Sequence, residues 1–312
     1  MIEATAAVSV SSVKRPRLGL ITALLCLSLT AASGGRAVLA VEARFTTSDK
    51  AEIRYLDVGP RGTAPTLLLV PGWRFTAEIW QQTIDAFAKE RRVLAIDPRS
   101  QGASSKMLTG NTPERRAADV HELVQSLGLA NVVLVGWSQG VQDVAAYLGQ
   151  FGTDALAGVV LVDSSVAAGP AEIELHPEFA KSVLGGIAVY AAHPAEYSVG
   201  LLRAVITRPL PESEIDRLAK LSLATPTDIG SGMLVLDMFA VDRRPHLARC
   251  DKPALVVASA ESPMLEAQRQ TAAALKARFE TIAGAGHAVF VDQPERFNAV
   301  LAEFLAGLAR PK

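Results

Sequence analysis

Along most of this chain, short runs of β-branched and leucine-rich residues alternate with longer amphipathic stretches, and this alternation narrows the possible folds more than any other feature. The apolar runs are "TLLLVPG" (66–72), "RVLAIDP" (92–98), "NVVLVGW" (131–137), "GVVLVDS" (158–164), "ALVVASA" (254–260) and "FETIAGAG" (279–286). Helical patterns occupy 76–90, 113–127, 139–150, 264–277 and 294–309. Strands that are apolar at nearly every position are buried on both faces, so the expected class is α/β: a mostly parallel central sheet with helices on both faces. Ahead of it, "ARFTTSDKAEIRYLDVG" (43–59) reads as a hairpin. Thr112 before Pro113 reads as a helix start, where the hydroxyl caps and the missing proline N–H costs nothing.

The alternation breaks once, between residues 165 and 249, where Pro, Gly and Thr separate several helical stretches. An insertion there would lie over the carboxyl edge of the sheet, where open α/β sheets bind ligands. The expected organisation is a core of residues 41–164 and 250–312 with a helical cap at 165–249. Phe179, Tyr190, Tyr197, Met233, Leu236 and Phe239 are its candidates for an apolar pocket. With 49% hydrophobic residues in 312, the chain can bury a large core. Its 31 Lys and Arg against 32 Asp and Glu leave no positive excess for a nucleic-acid partner.

Residues 1–40 differ in character. Lys14, Arg15 and Arg17 precede an uncharged Leu/Ala-rich run from Leu18 to Ala32, and Val38-Leu39-Ala40 suits a signal peptidase. The run is shorter than the roughly 20 residues that span a bilayer, so the expectation is a cleaved secretory signal peptide and a bacterial periplasmic or secreted product with no stable membrane span. Cleavage after Ala40 removes Cys26 and leaves Cys250 alone, with no intramolecular disulfide; Cys250 reads as structural.

"VVLVGWSQGV" (132–141) carries the chemistry. A strand that runs through Gly136-Trp137-Ser138-Gln139-Gly140 straight into a helix forces the serine into a strained turn, which only small flanking residues permit. Its hydroxyl then stands above the sheet edge at a helix start, where N–H groups and the helix dipole stabilise negative charge. A serine hydroxyl needs a base to act as a nucleophile at neutral pH. Among the five histidines His287 is the candidate, in a loop after the last strand that Gly284 and Gly286 make pliant. The backbone N–H of Gln139, and that of Trp73 in "LLLVPGWRF", are the expected oxyanion donors. The side chains of Trp73 and Trp137 are candidate substrate contacts. Arg74 is either a contact for a substrate carboxylate or a solvent-exposed arginine. No His or Cys pair has metal-ligand spacing, and no metal or organic cofactor is expected.

"VPGW", "AIDPRSQGAS", "GWSQG" and "GAGHAVFVDQPERF", in that order, resemble the α/β-hydrolase fold superfamily over roughly residues 45–310, specifically the capped haloperoxidase-like and esterase branch. The chain departs from that pattern at Pro71-Gly72, where relatives often have His-Gly, and in "DPRSQGAS". The resemblance implies a triad of Ser138, His287 and an acid. The family's usual aspartate slot after "ALVVASA" holds Ser262, with Glu261 one residue earlier. Glu261 is therefore the expected acid, and Asp163 after "GVVLV" its rival. The reaction implied is hydrolysis of a small-molecule carboxylic ester or lactone through an acyl-enzyme. The alternatives are acyl transfer to peroxide or another alcohol, cofactor-free haloperoxidation, or ligand binding with weak turnover.

Overall fold

The computed structural model describes residues 41–308. The expected signal peptide and Cys26 lie outside the described residues. The hairpin forms from β1 (Val41–Thr46) and β2 (Glu52–Val58), which pair antiparallel. The other strands are β3 (Thr66–Val70), β4 (Val93–Ile96), β5 (Val132–Trp137), β6 (Leu156–Val162), β7 (Ala254–Ser259) and β8 (Arg278–Ile282). They complete one eight-stranded sheet in the order β1-β2-β4-β3-β5-β6-β7-β8, parallel from β4 to β8.

Alternate residues of each strand feed opposite faces, as the two-residue strand period requires. Val133, Val135 and Trp137 of β5 join one core with α1 (Gln81–Phe87), α10 (Val289–Asp292) and α11 (Pro294–Leu308). Val132 and Leu134 join the other, with α2 (Pro113–Ser126), α3 (Gln139–Phe151) and α9 (Leu265–Leu275). Both faces are covered, which explains why the strands read as unbroken apolar runs. Thr112 caps α2 by accepting the Arg115 N–H at 3.2 Å, ahead of Pro113. Two boundaries differ from expectation. The helix expected at 76–90 is a 3-10 turn, Ala77–Trp80, followed by α1. The strand expected at 279–286 stops at Ile282, and Gly284, at φ 66°, turns the chain out of the sheet into the loop that carries His287.

Between β6 and β7 come α4 (Glu172–Leu175), α5 (Pro177–Ala192), α6 (Pro194–Val205), α7 (Glu212–Ser222) and α8 (Thr227–Phe239). Phe179 of α5, Tyr197 of α6 and Met238 of α8 face the same cavity as Ser138 and His287, so these helices wall the carboxyl edge of the sheet. Among the described residues no helix is long and apolar enough to cross a membrane. Cys250 is half-buried, and burial pushes its thiol up, away from the reactive thiolate.

Candidate active site

Ser138 occupies the turn between β5 and α3 with φ 54° and ψ −117°, a conformation that a non-glycine residue holds only at a cost of about 1–3 kcal/mol. The flanking glycines make the turn possible. A Cβ on Gly136 would stand 2.3 Å from the Gly140 carbonyl oxygen, and one on Gly140 would stand 2.6 Å from that of Val70. The loop after β3 lies against the elbow, close enough that a Cβ at Gly72 would be 3.0 Å from that of Ser138. Among the described residues neither the Trp73 nor the Gln139 amide donates to a backbone carbonyl.

His287 Nδ1 stands 2.7 Å from Asp163 Oδ2. Asp163 is the first residue beyond β6, at φ 43°, and is almost fully buried. Its Oδ1 accepts the Ser259 N–H at 2.8 Å and Gln268 Nε2 at 3.2 Å, which fixes the carboxylate. The expectation that Glu261 holds the histidine is corrected. Its carboxylate accepts the Gly284 amide and the Ser259 hydroxyl, each at 3.2 Å, and the residue is exposed. Strand register accounts for the difference. Trp137 pairs with Val162 and the Ser138 N–H donates to the Val162 carbonyl, so Asp163 lies beside the serine turn, whereas Glu261 follows β7, one strand farther out.

The histidine loop is held from several sides. Trp137 Nε1 donates to the His287 carbonyl at 2.9 Å, and Ser259 Oγ shares its single hydrogen between the Ala285 carbonyl at 2.6 Å and the more distant Glu261 carboxylate. Asp292, mostly buried, accepts the Gly286 amide at 2.7 Å and the Thr207 and Arg208 amides at 3.0 Å, tying this loop to the segment after α6. Trp137 itself is fully buried between Phe75 and Phe290, so its expected contact with substrate is corrected to support for His287.

Ser138 and His287 open onto a cavity of about 730 Å³. Trp73 lines it while its Nε1 donates to the Gly230 carbonyl at 2.8 Å. Of the six cap candidates, Phe179 and Tyr197 line the cavity, Tyr190 and Met233 pack behind Trp73, Leu236 is exposed, and Phe239 is half-buried outside the cavity lining. Arg74 meets neither expectation. It is fully buried, with its Cζ 4.2 Å from the Trp73 ring centre and 4.0 Å from that of Tyr190, and it donates to Ser198 Oγ at 2.9 Å. Burial pulls its pKa down.

An ionic cluster beneath the elbow escaped the sequence reading. Arg116 donates to Asp143 at 2.9 Å and to Asp237 of α8 at 2.6 Å, and Asp237 also accepts the Gln139 side chain. All three charged groups are buried; burial raises both carboxyls, and the two acids raise Arg116. The available signal was an aspartate inside the otherwise apolar "MLVLDMF". Among the described residues no group of three or more His, Cys, Asp or Glu side chains is placed to hold a metal ion.

Comparison with known proteins agrees with this architecture. The chain is 36% identical to the bifunctional esterase/perhydrolase DCH of Acinetobacter calcoaceticus over 120 residues, which span 38% of this chain and 43% of that protein, less than half its length. It is 28% identical over 266 residues to a non-heme chloroperoxidase-like protein of Synechocystis sp., covering 81% of this chain and 95% of that one. The bromoperoxidase of Bacillus anthracis shares its fold, with a TM-score of 0.77 at 24% identity over 85% of this chain and 100% of that one. The sequence pattern of the alpha/beta hydrolase family matches residues 67–300, three quarters of the chain, and the chain belongs to that family.

Proposed function

We propose that this protein is a serine hydrolase that cleaves carboxylic esters or lactones through an acyl-enzyme. The observation that carries the reading is a serine held at positive φ on the wall of a cavity shared with a histidine whose Nδ1 is held 2.7 Å from a buried aspartate. With Nδ1 engaged, Nε2 is the nitrogen left to take the Ser138 proton as Oγ attacks the acyl carbonyl. Asp163 keeps the tautomer and supports the imidazolium, and the Trp73 and Gln139 amides receive the oxyanion. The leaving alcohol takes the proton back from His287. Water then attacks the acyl-enzyme, with His287 again as base.

Intact-mass analysis after exposure to a fluorophosphonate tests this reading. Labelling of the wild type but not of Ser138→Ala supports an activated serine; failure to label the wild type overturns it. A second reading, transfer of the acyl group to peroxide, is favoured by the likeness to a relative named an esterase/perhydrolase. Peracid formation in proportion to added hydrogen peroxide, at the expense of free acid, would select it. We further propose export with cleavage after Ala40. N-terminal sequencing of periplasmic protein beginning at Val41 is the expected outcome, and retention of the leader would refute it.

A further inference from the structure

Apart from His287, the ionisable side chains lining the cavity are all acids. Asp163, Asp237 and Glu261 face it, and among the described residues no lysine or arginine does. Asp163 is engaged with His287, and Asp237 with Arg116 and Gln139. Glu261 differs from both. It sits exposed in the loop after β7 and is held only by the Gly284 amide and the Ser259 hydroxyl, both at 3.2 Å, with no ion pair to a cation among the described residues. Arg74, the cation nearest in sequence to the expected oxyanion loop, is sealed among Trp73, Tyr190 and Tyr197. Apolar side chains such as Phe179, Leu201, Leu234 and Met238 supply much of the remaining wall.

A carboxylate carried into such a cavity loses water and finds no lysine or arginine to pair with among the described residues, whereas an ammonium group finds the unpaired Glu261 carboxylate and an uncharged group meets apolar wall. We propose that the site selects esters whose acyl chain ends in a cationic or uncharged group against esters whose chain ends in a carboxylate, with Glu261 as the specificity-determining residue. This inference rests on the reading of Ser138 as the nucleophile. Because Glu261 is exposed, its discrimination is screened by salt.

The test uses p-nitrophenyl esters of one chain length that end in an ammonium, a methyl or a carboxylate group. Their kcat/KM values are compared in wild type and Glu261→Gln at about 10 mM and about 500 mM ionic strength. The expected order at low salt is ammonium, then methyl, then carboxylate, with the carboxylate ester about tenfold or more behind the methyl ester. Both Glu261→Gln and high salt are expected to shrink the ammonium-to-carboxylate ratio severalfold. Equal rates for the three esters, or a ratio that Glu261→Gln leaves unchanged, overturn the proposal. The same order is read independently of turnover from the melting shift that hexylamine, hexanamide and hexanoate each give Ser138→Ala protein. If fluorophosphonate labelling fails but this binding order holds and weakens in the Ser138→Ala, Glu261→Gln double variant, the hydrolase reading falls while the selectivity stands. If labelling succeeds and hexanoate binds as well as hexylamine, the selectivity falls alone.

Discussion

Asp163 and Glu261 differ by one strand position in the sheet and by their access to water, and these two facts decide which can serve a histidine. A buried carboxylate with one oxygen fixed by a backbone amide and Gln268 presents the other to His287 in one orientation. An exposed glutamate bonded at 3.2 Å on each oxygen lacks that restraint. Asp163→Asn preserves shape but removes the charge and disfavours the required tautomer. We expect it to lower kcat for a neutral ester on the order of 10³–10⁴-fold, far more than Glu261→Gln does. Steady-state kinetics of the two variants on one neutral ester check this, and a larger loss in Glu261→Gln would return the acid role to that residue.

At the scale of elements, the loop between β8 and α10 must hold a histidine over a sheet edge without being part of the sheet. Asp292, at the end of α10, is the clamp, because its two oxygens take amides from the histidine loop and from the segment after α6. Asp292→Ala leaves several part-buried N–H groups without an acceptor. We expect a loss of about 2–4 kcal/mol of folding stability, together with a lower kcat as His287 loses its fixed position. Urea denaturation alongside kinetics measures both. Full activity with reduced stability would show that Trp137 and Ser259 suffice to hold the loop.

For the molecule as a whole, the buried cluster of Arg116, Asp143 and Asp237 joins the α2–α3 layer to α8. Burial pushes the Asp143 carboxyl up to about 7; Arg116 opposes that rise and Asp237 adds to it. An unfolded aspartate titrates near 4. Between about pH 4 and 7 the folded chain therefore binds more protons at this group than the unfolded chain does. Its contribution to stability is full below pH 4 and is lost as pH rises through 7. Unfolding free energies measured at acidic and mildly alkaline pH should fall more for wild type than for Asp143→Asn. Parallel profiles would mean that Arg116 keeps Asp143 ionised throughout.

The local order of residues is enough to determine the strands, most helices, the serine turn and the candidate histidine. Each depends on interactions within a few residues: the two-residue alternation of a strand, the helical period, the steric room at Gly136 and Gly140, and the pliancy of Gly284. Partners that meet across the sheet are decided only by tertiary structure. The β5–β6 register puts Asp163 beside Ser138, packing of α5, α6 and α8 seals Arg74 among aromatic rings, and α8 brings Asp237 onto Gln139. These pairs lie from about 25 to more than 120 residues apart in the chain, a range over which no local period or propensity acts, so only the folded packing selects them.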